Sequence, residues 1–161
     1  MRNVGTVLFG ALALVFALVI SISCGGRVET LKFSLPPGFS GLIIVVADPA
    51  NGSELKGEGG AAKLEVPKDG IVRVKSLDVF GSWHSEQFYT AEGVPLESNN
   101  PTRQKGVVEV HSLGRSVTIE GDASSQDVVV YFVGTFEEVS RYQEQMDRSG
   151  KGLPTVTALS N

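Results

Sequence analysis

Short runs in which apolar and polar residues alternate recur between residues 31 and 120 and constrain the fold more than any other feature. In the first run, Leu31, Phe33 and Leu35 alternate with Lys32 and Ser34. Similar runs occupy residues 63–66, 71–75, 108–111 and 117–120. Because successive side chains of a strand point to opposite faces, this period of two predicts half-buried β-strands.

Two segments, residues 41–47 and 128–133, are apolar at almost every position, as central strands covered on both faces would be. About eight short strands separated by turn residues are typical of a sandwich or barrel. We therefore expect an all-β, antiparallel β-sandwich over residues 31–148, with each sheet centred on one of the two apolar strands. Pro67-Lys68-Asp69-Gly70 supplies turn chemistry between two alternating runs, and it predicts a β-hairpin.

One C-terminal helix is expected after the last strand. Thr135-Phe136-Glu137-Glu138 matches a capping box, in which Thr135 caps the helix and Glu138 reaches back. Apolar residues then recur at spacings of three and four as far as Met146. The pattern predicts a helix over about 136–148, followed by a flexible tail over 149–161.

The N-terminus has the features of an export signal, with a signal helix in residues 1–23. Arg2 gives it a positive start, and Val4 to Ile22 is 19 residues without a charge. A run of roughly 17–25 apolar residues is also long enough to span a bilayer. An uncleaved membrane anchor is therefore an alternative to a cleaved signal peptide.

Cys24 is the single cysteine of the chain and follows the apolar run directly. Ser21-Ile22-Ser23-Cys24 resembles the lipobox of bacterial lipoproteins. The resemblance implies cleavage between Ser23 and Cys24 and an acylated, diacylglycerol-bearing Cys24 in the cell envelope, facing the periplasm or the exterior. Ser21 departs from the usual leucine, and the segment also suits an ordinary signal peptidase. Residues 24–30 would form a short tether, roughly 20 Å long when extended at ~3.4 Å per residue.

Charge and cysteine content exclude several classes of protein. All 18 acidic residues follow residue 23 and outnumber the basic residues there, so a nucleic-acid partner is not expected. A single cysteine excludes a disulfide scaffold. One long apolar run excludes a polytopic membrane protein.

Three turn motifs occur in order along the domain: residues 35–41 (LPPGFSG), 66–71 (VPKDGI) and 132–138 (FVGTFEE). Together they resemble a family of exported bacterial proteins that is catalogued as a domain of unknown function. The resemblance covers residues 31 to about 142 and brings no assigned activity. The order of sheets and turns also looks like transthyretin-type and immunoglobulin-like sandwiches, which is an analogy of fold alone.

Residues that could bind a metal or perform catalysis are few. The two histidines, His84 and His111, are both expected on the surface, and a metal site needs several converging ligands. Asp78 and Glu86 lie near His84 in sequence, but we expect neither a metal nor a cofactor. Ser82 and Ser85 flank His84 without the spacing of a catalytic triad.

The segment from Phe80 to Tyr89 concentrates aromatic residues. In a strand, neighbouring side chains face opposite sides. We expect Trp83 and Phe88 to face the core, whereas His84 and Tyr89 would line any surface ligand site.

These features predict a membrane-anchored, non-enzymatic binding or structural module. Its partners would be the membrane, through the lipid, and an envelope protein or glycan. Two alternatives stay open: an envelope hydrolase that uses residues 78–89, and an accessory subunit that docks on a membrane protein.

Overall fold

The computed structural model describes residues 28–57, 59–99, 105–118 and 125–149. The signal segment, Cys24 and the C-terminal tail from residue 150 lie outside the described residues. In chain order the elements are β1 (Thr30–Ser34), β2 (Gly41–Ala47), β3 (Ala61–Glu65), β4 (Ile71–Val74), α1 (Asp78–Gly81), β5 (Ser85–Tyr89), β6 (Pro95–Leu96), β7 (Glu109–Thr118), β8 (Ser125–Gly134) and α2 (Phe136–Ser149).

The strands form two four-stranded sheets, ordered β3-β1-β5-β6 and β4-β2-β8-β7. Apolar residues of both sheets form one buried cluster between them, so the fold is a two-layer sandwich. At its centre Phe33 stacks on Phe88 with 4.6 Å between ring centroids, and Tyr131 of the other sheet meets both rings edge-on. A bridge between Ser98 and Val110 links the sheets along one side.

The expected antiparallel arrangement is wrong, because both sheets are mixed. β1 pairs in parallel with β3 and with β5, and β2 pairs in parallel with β4. The two apolar segments, which lie in β2 and β8, are neighbours in one sheet and do not centre separate sheets. Their outward residues, Ile44, Val46, Val128 and Val130, form a second buried cluster on the outer face of that sheet. The outward residues of β2 and β8 are therefore apolar because they form this second cluster, not because each strand is the centre of its own sheet.

The predicted hairpin at Pro67–Gly70 is also wrong, although the turn itself forms. The Gly70 N–H donates to the Pro67 carbonyl at 2.9 Å, and Gly70 has φ +76°. However, β3 and β4 belong to different sheets, so the turn carries the chain across the sandwich. Asp-Gly chemistry specifies the reversal of the chain but not the partner of the strand that follows.

The sandwich has two distinct ends. β1, β3 and β5 are parallel and start at the same end, which we call the tether end. Its described connections are residues 28–29, 48–57, 59–60 and 75–84. The opposite end holds the turns at residues 35–40 and 66–70 and the end of β8. The three motifs of the family resemblance thus meet at that opposite end, where the Ser40 hydroxyl donates to the Val133 carbonyl at 3.2 Å.

The C-terminal helix is confirmed, together with its capping box. The Glu138 N–H donates to Thr135 Oγ1 at 3.3 Å, and the Thr135 N–H donates to Glu138 Oε2 at 2.8 Å. The helix packs on the outer face of the second sheet, where Tyr142 lies 5.4 Å from Phe132, ring to ring. No described helix is long and apolar enough to cross a membrane.

Candidate functional site

The segment from residue 76 to residue 89, which carries most of the predicted site residues, begins with a single helical turn at the tether end. The Asp78 N–H donates to Ser76 Oγ at 3.0 Å, which starts α1. Phe80 is 1% exposed and fills the core at this end of the sandwich. At Ser82 the backbone becomes extended and leads into β5.

His84 points inward, so its predicted place on the surface is wrong. Its side chain is 8% exposed and meets the edge of Phe80, with 5.7 Å between ring centroids. Nδ1 lies 2.8 Å from the Ser82 carbonyl, and Nε2 lies 3.0 Å from Glu86 Oε1. The reason is strand parity, because His84 lies on the same face of the chain as Glu86 and the buried Phe88.

Glu86 joins His84 to the opposite sheet. Its Oε1 also accepts a hydrogen bond from the Tyr131 hydroxyl at 2.5 Å. Tyr131 is 1% exposed and belongs to β8. We call His84, Glu86 and Tyr131 the inter-sheet triad. Tyr131 was not identified as a site residue from the sequence, because residues 128–133 form an apolar run in which a tyrosine is expected to be part of the core.

The inter-sheet triad has the geometry of a structural network. A carbonyl oxygen only accepts hydrogen bonds, so Nδ1 of His84 carries the hydrogen that Ser82 receives. Nε2 pairs with Glu86 Oε1 at 3.0 Å, which joins the two side chains. Both ring nitrogens are thus engaged within the protein, and neither is directed at a substrate or a metal. Among the described residues, no group of three or more potential metal ligands converges.

Tyr89 does not lie beside His84, so the structure does not assemble the predicted ligand site. Tyr89 lies on the outward face of β5, and its hydroxyl donates to Gln87 Oε1 at 2.8 Å. Its ring lines a cleft of about 510 Å³ at the end opposite to the tether end, together with Pro36 and Pro37. His84 lies at the tether end and points into the core.

Trp83 is 79% exposed, and its predicted burial is wrong. Phe88, its expected partner in the core, is 1% exposed and confirms the other half of that prediction. Phe80 already fills the core position at the tether end, and the indole of Trp83 therefore projects into solvent. Trp83 has the largest exposed fraction among the exposed large hydrophobic side chains of the described chain.

A second cleft, of about 500 Å³, lies between α1 and β8 near Trp83. Phe80, Val128 and Val129 form apolar parts of its wall, and Asp78 and Asp127 add two carboxylates. Trp83 itself does not line the cleft. The cleft is partly open to solvent, and its walls combine apolar and acidic groups.

The outer face of the second sheet holds the remaining titratable groups of interest. His111 is half-buried rather than exposed as expected, with Nε2 3.3 Å from the Gly134 carbonyl. Glu109 is 2% exposed, and its Oε1 has no hydrogen-bond partner. The Tyr142 hydroxyl is likewise buried without a partner, and burial raises its pKa. None of these three residues lines either of the two clefts described above.

No family model matches the chain, and no curated protein is similar to it. Among solved structures, the chain is similar to a crystal structure of a "Putative Lipoprotein" from Bacillus anthracis. The two chains are 16% identical, the match covers 83% of this chain and 86% of that chain, and the TM-score is 0.42. Membership of the exported family suggested by the three turn motifs stays a prediction.

Proposed function

We propose that the protein is a lipid-anchored component of the bacterial envelope whose sandwich is a non-enzymatic binding or structural module. The observation that carries the proposal is the spacing between Cys24 and the folded domain. Val28 is already 6% exposed and part of the core, and β1 begins at Thr30. The one cysteine thus lies at the boundary between an apolar export segment and a domain that starts almost immediately.

This boundary suits a lipid anchor on physical grounds. A single free thiol outside the cell is open to oxidation, whereas a thioether-linked lipid removes that reactivity. Two or more acyl chains hold a protein stably on a membrane, whereas one chain holds it only marginally. A diacylated and N-acylated Cys24 would therefore keep the sandwich at the membrane surface without a transmembrane helix.

The non-enzymatic part of the proposal is supported by the inter-sheet triad. His84 is the histidine of the segment that a hydrolase would use, and both of its ring nitrogens bond within the protein. Ser82 and Ser85, its neighbours, are engaged elsewhere: the Ser82 hydroxyl donates to the Val79 carbonyl, and the Ser85 hydroxyl bonds to Thr30 Oγ1. A serine nucleophile would need a histidine nitrogen free to accept its proton.

Membrane fractionation of a bacterial host that expresses the full chain tests the anchor. We expect the wild type in the membrane fraction, with an N-terminal peptide that begins at Cys24 and carries diacylglycerol by mass spectrometry. Cys24→Ala should abolish the modification and leave an uncut precursor or a released domain, whereas Gly25→Ala, which keeps the cysteine, should behave as the wild type. Wild-type protein that retains Met1 or Arg2 would contradict the proposal.

A hydrolase is tested separately with the purified protein. We expect no turnover of ester, peptide or glycan substrates. Turnover that disappears in His84→Ala, while the circular dichroism spectrum of that variant stays native, would contradict the non-enzymatic proposal and favour an envelope hydrolase.

A further inference from the structure

The tether end is held firmly where the chain enters the fold. The Glu29 N–H donates to the Gly60 carbonyl at 2.7 Å, and the Ser85 N–H donates to the Glu29 carbonyl at 2.8 Å. Glu29 is therefore fixed from both sides, by the residues that precede β3 and by the first residue of β5. These bonds fix the position at which the described chain enters the sandwich.

Trp83 lies beside this point. Ser85 is the register partner of Thr30 in the parallel pair β1/β5. Two residues before this pair, Trp83 lies at about the level of Val28, the first described residue. The exposed indole and the start of the domain thus share one end of the sandwich, on adjacent chain segments.

The length of chain before the domain limits how far this end can lie from an anchor at Cys24. Residues 25–28 separate Cys24 from Glu29. Five residue steps span at most about 18 Å when fully extended. The interfacial region of a bilayer is itself several ångströms deep, and tryptophan is enriched there because its ring is apolar and its N–H is polar.

We infer that the tether end faces the lipid bilayer and that Trp83 inserts into the headgroup region as a second, non-covalent contact. The inference rests on the anchor at Cys24 proposed above. Trp83 would fix the orientation of the sandwich, because a lipid at one point leaves the domain free to tilt, whereas two neighbouring contacts restrict it. The opposite end, with the Tyr89 cleft, would then point away from the membrane.

The charges around Trp83 define the kind of surface that it prefers. The described connections at the tether end carry the acidic residues Glu29, Asp48, Glu54 and Asp78 and the basic residues Lys56 and Lys75. An excess of acids is repelled by anionic headgroups, and salt screens this repulsion over a Debye length of about 10 Å at 0.1 M. Insertion should therefore be deeper in zwitterionic bilayers, and salt should improve it in anionic ones.

The single tryptophan of the chain makes the test specific, since tryptophan fluorescence reports Trp83 alone. The protein is purified from membranes and reconstituted into phosphatidylcholine vesicles, either plain or brominated on the acyl chain close to the headgroup. For an indole in the interface, we expect the bromines to lower the emission roughly twofold and a blue-shifted spectrum. Vesicles brominated at the far end of the chain should quench less. Vesicles that contain phosphatidylglycerol should show weaker quenching at low salt than at high salt.

A matched variant moves the probe to the other end of the sandwich. Trp83→Phe combined with Lys68→Trp places the indole in the exposed turn after β3, opposite to the tether end. Its emission should be the same in plain and brominated vesicles. Equal quenching of both proteins would show that the domain has no fixed orientation and would overturn the inference.

The same preparation separates the inference from the anchor. A lipidated N-terminal peptide combined with unquenched Trp83 overturns the membrane contact and leaves the anchor intact. A peptide without diacylglycerol overturns the anchor; quenching of Trp83 in vesicles that hold the uncleaved chain would still support the contact. Protein recovered only in the soluble fraction overturns both.

Discussion

Gly70 and Gly38 are turn glycines with similar backbone angles and different surroundings. Their φ values are +76° and +67°, and both lie at the end of the sandwich opposite to the tether end. A Cβ added to Gly70 would lie 2.1 Å from the Leu42 carbonyl oxygen, whereas a Cβ on Gly38 would meet nothing within 4 Å. Substituting each glycine therefore separates the free-energy cost of the left-handed backbone conformation from the cost of the steric clash with Leu42.

We predict that Gly70→Ala destabilises the fold by more than about 2 kcal/mol, because a left-handed conformation and a backbone clash act together. Gly38→Ala should cost about 1 kcal/mol, since only the conformation opposes it. Urea denaturation of both variants measures the difference. Equal costs would mean that the turn after β3 relaxes away from Leu42.

Trp83 and Phe88 provide a second contrast between neighbouring aromatic residues. Trp83→Ala should change the free energy of unfolding by no more than about 0.5 kcal/mol, as is usual for an exposed side chain. Phe88→Ala should cost about 3–5 kcal/mol, because it removes a ring stacked on Phe33 in the core. Chemical denaturation followed by circular dichroism compares the two, because fluorescence is lost in the Trp83 variant. A large loss in Trp83→Ala would place the indole in the core.

Strand parity explains why one of these two aromatic residues was predicted correctly and the other was not. Trp83 and Phe88 are five positions apart, so in an extended chain they face opposite sides. The chain is extended from Ser82 onward, and Phe88 takes the inward face together with His84. Hydrophobicity favoured burial of both rings, but the core position at the tether end belongs to Phe80, whose one-turn helix has no distinct periodicity in the sequence.

At the scale of single elements, the capping box of α2 gives a pH-dependent contribution to stability. The backbone N–H of Thr135, followed by its hydroxyl, donates to Glu138 and lowers the pKa of that carboxyl. A lowered pKa in the folded state stabilises the protein above the pKa of the unfolded chain, and the contribution disappears as the pH falls through the folded pKa.

We predict that Glu138→Gln destabilises the protein at neutral pH and that the difference from the wild type vanishes in acid. Glutamine keeps an oxygen that can accept from Thr135 but has no charge to lose. Urea denaturation of the two proteins at a series of pH values measures the difference. A difference that stays constant down to the most acidic pH would show that the charge of Glu138 is not involved.

The parallel pairing of β1 with β3 can be tested by cross-linking. Lys32 and Lys63 are register partners on the outward face of the first sheet. Neighbouring strands lie about 4.8 Å apart, within the reach of a disulfide. In a Cys24→Ser background, Lys32→Cys/Lys63→Cys should oxidise to an intramolecular disulfide, visible as a mass lower by two hydrogens.

The control pair is Lys63→Cys/Arg73→Cys, whose side chains would be close if β3 and β4 formed the hairpin expected from the sequence. In the structure the two residues lie on the outer faces of different sheets, about 10 Å or more apart. This pair should stay reduced. Oxidation of the control pair instead of the first pair would show that β3 and β4 form the hairpin expected from the sequence.

How much of the fold could be predicted differs between local and long-range features. The alternation in β1 and β3, the turn at Pro67–Gly70 and the capping box depend on a few adjacent residues, and all of them appear in the structure. Sheet order and strand direction depend on contacts between distant segments, which periodicity does not encode. The Tyr131 contact with Glu86 belongs to the same class, because 45 residues separate its partners.

For the whole molecule, the inter-sheet triad is a polar link across the core. Tyr131 comes from one sheet and Glu86 from the other, and the Glu86 side chain is 28% exposed. Hydrogen bonds to a charged acceptor stabilise more than neutral ones, and partial solvent access reduces the gain. Because Tyr131 and Glu86 belong to different sheets, we expect their hydrogen bond to help align the two sheets.

We therefore predict that Tyr131→Phe destabilises the sandwich by about 1–2 kcal/mol, because the ring is kept and the hydrogen bond from its hydroxyl to Glu86 is lost. Glu86→Gln leaves Tyr131 a weaker acceptor and should cost a similar amount. If the two groups act through their mutual bond, the double variant should cost less than the sum of the single ones by about 0.5 kcal/mol or more. A double-mutant cycle from urea denaturation measures this coupling. Strict additivity would show that the sheets are aligned by their apolar core alone, and the triad would then have no role in holding them together.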